Sequence, residues 1–265
     1  MIFADLALAR RLEAAEAAVG IACARAQAPA GAAIEALAGG WAVFVGAQSP
    51  LTHALGLGMN GPVTAAEVDA VEAFFRVRGA TVNLDLCPYA HPSLVELLRG
   101  RGYGPVEFAN VLVRPLAGEL PWPPDARAGE AASGESELWA RTVAAGFTER
   151  AEFTAEELDV GRAIFRAEGM SCYLGRREEG APVAAAALAV KDGVATLLGD
   201  STAPGFRGAG WQTALIRTRL DAAVLAGCDL ATASTLPGSI SQRNYQRAGF
   251  QVAYTRMVLA GSRTN

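Results

Sequence analysis

The residues best suited to chemistry lie in the run Thr202-Ala203-Pro204-Gly205-Phe206-Arg207-Gly208-Ala209-Gly210-Trp211-Gln212. An apolar, strand-like stretch precedes it, and helix-forming sequence begins at Trp211. A glycine-rich turn at a helix start presents N–H groups that have no intrahelical acceptor, and the helix dipole adds partial positive charge there. Glycine lets the backbone approach an anion closely because no Cβ intervenes. A diphosphate suits such a place. The run is not a P-loop, since no Lys-Ser/Thr follows, and it lacks the GxGxxG spacing of a dinucleotide fold. An Arg-Gly-x-Gly fragment by itself is better explained as a flexible helix start, so the case depends on context. Metal chemistry is not expected. The four cysteines (Cys23, Cys87, Cys172, Cys228) are scattered without a CxxC pair, and both histidines, His53 and His91, lie in the first half. A zinc site would have to gather ligands from across the fold. Scattered cysteines read as small core hydrophobes of a reducing compartment. Cys87, Tyr89 and His91 share a Pro-bearing loop, where packing or loop capping explains each.

Composition narrows the classes further. Hydrophobic residues make up 51% of the 265 and charged residues 19%, which supplies a core and excludes wholesale disorder. With a net charge of −4 and no Lys/Arg cluster beyond pairs such as Arg10–Arg11 and Arg176–Arg177, a nucleic-acid partner is not expected. The first residues lack a basic leader region, Asp5, Arg10 and Arg11 interrupt any apolar run, and residues 181–190 are too few to span a bilayer. A cytoplasmic protein without a membrane partner is the expectation.

The elements that must hold the loop can be traced along the chain. Residues 4–26 read as a helix, 41–45 as a short strand, and 55–58 as a strand ending. Thr64 and Glu67 form a capping box ahead of a helix that runs to Arg78 and stops at Gly79. A strand at 80–86, a helix at 93–99 and a strand at 108–114 follow. Pro115, Pro121, Pro123 and Pro124, with Gly118, Gly129 and Gly134, then mark a connector. Beyond it the expectation is a strand at 126–131, helices at 136–145 and 154–168, and strands at 171–177, 183–191 and 194–201. Asp192-Gly193 between the last two is a hairpin signal. A helix at 211–226, a strand at 229–235, a helix at 241–247 and a strand at 251–259 complete the pattern.

The two halves repeat one another. Gly79 and Gly227 are 148 residues apart, Pro88 and Pro237 149, and Tyr103 and Phe250 147, within one order of helix, strand, loop, helix and strand. A duplicated fold explains three landmarks at nearly one offset. The division expected is residues 1–118, a linker at 119–125, and 126–265. The copied positions differ where it matters. Arg207–Gly210 fall opposite Met59-Asn60-Gly61-Pro62, and Asn244 and Tyr245 opposite Leu97 and Leu98.

The second half resembles the GCN5-related N-acetyltransferase (GNAT) superfamily, whose signature is R/Q-x-x-G-x-G/A after a strand and a V/T-x-P segment. Thr202-Ala203-Pro204 and Arg207-Gly208-Ala209-Gly210-Trp211-Gln212 fill those positions, with Gln212 in place of the family's small residue. Asn244-Tyr245-x-x-x-Gly249-Phe250 matches the second motif. The resemblance implies an α+β fold of two tandem GNAT-like domains, each a mostly antiparallel mixed sheet flanked by helices, the first without a CoA site. It implies that N–H groups of Arg207, Gly208, Ala209, Gly210, Trp211 and Gln212 bind the diphosphate of acetyl-CoA. Backbone at Ser201, Thr202 and Ala203 would pair with the pantetheine arm, joined by Asn244. Tyr245 would protonate the leaving thiolate. The second half holds no histidine, so the base would be a carboxylate, with Asp200 the leading candidate. Glu149, Glu152, Glu156 and Glu157 lie where the family walls its acceptor site, though acidic residues at a helix start are equally explained by the dipole. The implied activity is direct acetyl transfer from acetyl-CoA to a primary amine in a ternary complex, by a monomer or homodimer, with a small-molecule acceptor ahead of a protein one. The alternative is a non-catalytic module that binds or senses acyl-CoA.

Overall fold

The computed structural model of the protein describes residues 2–117, 120, 122–123, 125–150 and 152–261. Gly118, Glu119, Pro121 and Pro124 of the expected connector lie outside the described residues. The chain forms two compact units, Met1–Val111 with Val252–Asn265, and Leu112–Gln251. Each is a mixed sheet flanked by helices, as expected.

The first unit opens with α1 (Leu6–Ala26), whose first turn is capped by the Asp5 carboxylate accepting from Leu8 N–H. Strands β1 (Ala33–Leu37), β2 (Gly40–Phe44) and β3 (His53–Leu55) follow, then α2 (Ala65–Arg76), β4 (Asn83–Leu86), α3 (Pro92–Gly100) and β5 (Gly104–Pro115). β1 pairs antiparallel with β2 and β2 with β3, whereas β3 runs parallel to β4. The last strand of the sequence, β11 (Gln251–Ala260), pairs antiparallel with β4, Met257 opposite Leu86. The unit built by the first half of the chain is thus completed by its final segment. Ala17 and Ala24 of α1 pack on Val43 and Leu55. A Cβ at Gly20 would sit 3.0 Å from the Leu55 Cδ1 methyl, which would have to shift slightly to admit it.

The second unit contains β6 (Ala128–Glu130), α4 (Ser136–Thr148), α5 (Ala155–Arg166), β7 (Met170–Arg176), β8 (Pro182–Lys191), β9 (Val194–Thr202), α6 (Trp211–Leu225), β10 (Leu230–Thr235) and α7 (Ile240–Arg247). β6 to β9 are antiparallel neighbours, and β10 runs parallel to β9. Asp192 and Gly193 both adopt positive φ (47° and 77°), closing the β8–β9 hairpin as their dipeptide predicts. Every residue from Val183 to Ala189 is buried, which requires cover on both faces of β8. The duplicated order is explicit: β1-β2-β3-α2-β4-α3-β5 recurs as β7-β8-β9-α6-β10-α7-β11. Gly79 and Gly227 end their helices in the same left-handed conformation (φ 68° and 74°). All four cysteines are buried free thiols, and burial pushes Cys23 and Cys87 up to about 12. No described helix is long and apolar enough to cross a membrane.

The first unit buries a charge cluster. Arg256 of β11 donates to Glu13 of α1 through Nε (3.1 Å) and Nη2 (3.0 Å) and to Asp85 of β4 (3.4 Å), while His53 Nδ1 lies 2.7 Å from Asp85. Burial alone pushes His53 down, but the hydrogen bond and charge of Asp85 outweigh it and hold the imidazole above its usual pKa. A raised histidine stabilises fully below its unfolded pKa of about 6.5 and loses that contribution as pH rises through the folded value. Denaturant unfolding of wild type and His53→Gln at pH 6 and pH 9 should therefore differ more at pH 6; an unchanged difference would contradict the pairing.

Candidate active site

The site begins where two parallel strands part. β9 and β10 pair at Val194–Leu230, Ala195–Ala231 and Thr196–Thr232, and no further. Beyond Thr196 the edge of β9 toward β10 is open, while its other edge continues along β8 through Thr202. A bulge marks this stretch. Ala185 faces Ser201 and Ala187 faces Leu198, so Gly199 and Asp200 together oppose Ala186. Gly199 has φ 66°, which a side chain would strain, and it re-aims Asp200.

The bulge disrupts the ladder, and its carbonyls are served by side chains. Trp139 of α4 donates Nε1–H to the Ala186 and Tyr173 carbonyls (3.2 and 3.1 Å). Arg219 of α6 donates to the Ala187 and Leu198 carbonyls (3.0 and 3.3 Å) and holds both oxygens of Asp200, from Nη1 at 3.2 Å and from Nη2. Arg219 is fully buried. Tyr245 of α7, also buried, donates its hydroxyl to Asp200 Oδ2 at 2.6 Å and rests edge-on against Phe250. Burial first, then the Asp200 charge, lifts the Tyr245 phenol well above its usual pKa; Arg219 opposes only in part. Burial alone would lower Arg219, yet Asp200 raises it. The expected candidates Asp200 and Tyr245 therefore meet in one network. Its third member, Arg219, was not anticipated. Its sequence signal is a lone arginine in the stripe Leu215, Arg219, Ala223, otherwise apolar at helical spacing.

The glycine-rich loop follows directly. Ser201 Oγ donates to the Thr142 and Val143 carbonyls, and a Cβ at Gly146 would collide with that hydroxyl, so α4 lies tight on the end of β9. Arg207 is held by Glu149 (2.6 Å) and the Gly146 carbonyl (2.9 Å). Gly208 and Gly210 adopt φ 79° and 81°. Gly210 is the N-cap of α6 and brings no side chain to its N–H groups; the turn closes only at Ala214 N–H on the Gly210 carbonyl (3.0 Å). Arg127 reaches the Ala209 carbonyl at 3.2 Å and stacks over Trp211, whose ring is buried. Gln212 turns toward α7: its Oε1 accepts from Asn244 (2.8 Å) and its Nε2 donates to Ser241 (2.8 Å). The large residue at this position thus ties the two motifs together. Thr235 Oγ1, at the end of β10, is buried without a partner among the described residues. Of the acidic residues, Glu149 pairs with Arg207, Glu157 caps α5 and pairs with Arg150, and Glu152 and Glu156 are exposed.

Residues 137–250 match the family model described as the Acetyltransferase (GNAT) family. This segment is a GNAT-family domain. Among solved structures, the chain is similar to a GCN5-related N-acetyltransferase from Kribbella flavida, with 23% identity, 92% of this chain and 95% of that chain covered, and a TM-score of 0.65. One from Sphaerobacter thermophilus shows 20% identity, coverage of 74% and 66%, and a TM-score of 0.54. A tandem GNAT protein from the clavulanic acid biosynthesis pathway shows 16% identity, coverage of 79% and 73%, and a TM-score of 0.53. These likenesses concern the fold. A comparison with curated proteins found no match.

Within the GNAT domain, Arg219→Met would leave the Asp200 carboxylate without its counter-charge and two carbonyls without a donor. Breaking a buried pair in this way costs about 3–5 kcal/mol. Denaturant unfolding should register that loss, with part of it recovered when Asp200→Asn is added; a loss below about 1 kcal/mol would argue against the pair.

Proposed function

We propose that the GNAT domain transfers an acetyl group from acetyl-CoA to a primary amine by direct attack in a ternary complex. The observation that carries the reading is the uncapped N-terminus of α6, placed by two left-handed glycines at the mouth of the β9–β10 divergence. Free N–H groups from Gly208 to Gln212 and the helix dipole suit the diphosphate of CoA. The edge of β9 away from β8 at Ser201 and Thr202 suits an extended pantetheine arm, which would add as a strand does and run on past Ala203, whose own N–H is held by the Val183 carbonyl. Asn244, whose Nδ2 gives one hydrogen bond to Gln212, would offer its remaining amide groups to the same arm. Acetyl-CoA would supply the thioester, activated for acyl transfer.

The amine nitrogen attacks the thioester carbonyl, the C–S bond breaks, and one amine proton must leave while the sulfur gains one. Tyr245 is the donor we assign to the sulfur: its raised pKa keeps it protonated. Its hydroxyl, which in this structure donates to Asp200, turns from that carboxylate to the sulfur and regains a proton from water. Asp200 is better suited to positioning than to accepting the amine proton, because its oxygens already receive hydrogen bonds from Arg219 and Tyr245. The amine proton then passes to water. With no cysteine–histidine pair in the GNAT domain, a covalent acyl-enzyme is not part of the reading.

The first unit supports a structural role. Its counterpart helix α2 carries a capping box, in which Thr64 accepts from Glu67 N–H and Glu67 accepts from Thr64 N–H. The backbone hydrogen bond to Thr64 lowers the Glu67 pKa, so an anion of the chain's own stands where a phosphate would have to bind.

Tyr245→Phe should lower the rate of CoA release with an active amine by roughly 10²-fold while leaving acetyl-CoA affinity within a few-fold. Screening an amine library for CoA release supplies the acceptor. An unchanged rate in Tyr245→Phe removes the assignment, and acetyl-CoA binding without turnover on any amine favours an acyl-CoA sensor instead.

A further inference from the structure

Gln212 is the second residue of α6, and its side chain crosses to α7. Its Oε1 accepts from Asn244 Nδ2 at 2.8 Å, and its Nε2 donates to Ser241 Oγ at 2.8 Å. Ser241 and Asn244 are three apart on α7 and so share the face turned toward the start of α6. All three side chains are half-buried. Hydrogen bonds there compete less with water than bonds on an open surface, and they remove rotational freedom from the groups they join. The helix itself is fixed by other means. Ser239 caps α7 by accepting from Gln242 N–H at 3.1 Å, and the buried Tyr245 ring rests against Phe250. The glutamine is therefore not needed to start or seat α7; its distinct effect falls on the Asn244 amide.

An asparagine amide that nothing holds samples several directions, because its outer torsion is broad. The bond to Gln212 spends one Nδ2 hydrogen and decides which end of the amide faces α6, while the amide retains an acceptor and a second N–H for another partner. The first unit shows the same elements without the bridge. Ser93, the second residue of α3 as Ser241 is of α7, accepts directly from Val63 N–H at 2.8 Å. There α3 carries Leu97 and Leu98 opposite Asn244 and Tyr245. The glutamine bridge and the asparagine it holds thus occur together, in the unit assigned to CoA. We propose that Gln212 is a positioning residue for the cofactor, orienting the Asn244 amide for the pantetheine arm before acetyl-CoA binds. The role rests on the CoA reading given above and adds to it a reason for a large side chain in the loop.

Calorimetric titration of the full chain with acetyl-CoA separates this role from bracing of the fold. Gln212→Met keeps the bulk of the side chain and removes both hydrogen bonds. It should weaken acetyl-CoA binding roughly three- to tenfold, and Asn244→Ala should do the same. Because the glutamine acts through the asparagine, adding Gln212→Met to Asn244→Ala should change affinity by less than about twofold. A glutamine that only braces α7 would lower unfolding stability, and its affinity loss would multiply with that of Asn244→Ala. Gln212→Ala repeats the comparison should the methionine variant fail to fold. Unchanged affinity in either single variant, or losses that multiply, overturns the role of Gln212 and leaves the CoA site standing. Wild type that binds no acetyl-CoA removes the CoA reading, and this role with it.

Discussion

A guanidinium buried with its carboxylate inside the second unit is the interaction on which the candidate site depends. Arg219 has no exposed surface, and taking such a charge from water is strongly unfavourable unless its donors are matched. They are matched here by Asp200, by the Ala187 and Leu198 carbonyls that the β9 bulge leaves over, and more distantly by the Tyr245 hydroxyl. The bulge, the turn of Asp200 out of the ladder and the orientation of Tyr245 are therefore one arrangement. Remove the arginine and three features lose their reason together.

The two units show how one order of elements serves different ends. In the second, β9 extends well past its last contact with β10, and the following helix starts on glycine with its N–H groups uncapped. In the first, β3 has three residues and the following helix starts on a closed capping box. Each also hides an arginine among acids, Arg219 with Asp200 in one and Arg256 with Glu13 and Asp85 in the other. The first arginine sits at the mouth of the strand divergence, while the second joins the final strand to the elements of its unit.

Much of this was legible in the residues. Asp192-Gly193 determined the hairpin, Thr64 and Glu67 the start of α2, and Gly79 and Gly227 the helix ends, because each is a local rule of backbone chemistry. The glycine loop read as a helix start suited to an anion on the same grounds, whereas Asn244 and Tyr245 were singled out by the family resemblance. What sequence patterns missed is tertiary. Strand β1, Ala-Ile-Glu-Ala-Leu, has only one β-branched residue, and pairing with β2 makes it a strand. The bulge at Gly199–Asp200 depends on β8 register, and the role of Gln212 on the approach of α7. Placement of β11 beside β4 joins residues about 170 apart, beyond any local signal. Arg219 and Arg256 did leave a trace, each a charge on an otherwise apolar face, at helical spacing in one case and strand alternation in the other.

The central claim is one CoA site per chain, at the N-terminus of α6. Calorimetric titration of the full chain with acetyl-CoA tests it most directly. The account predicts a stoichiometry of one, abolished by Gly208→Glu but kept by Gly208→Ala, which carries the same backbone strain at φ 79° without the negative charge. Two sites per chain, no binding, or a single site indifferent to Gly208→Glu would contradict it.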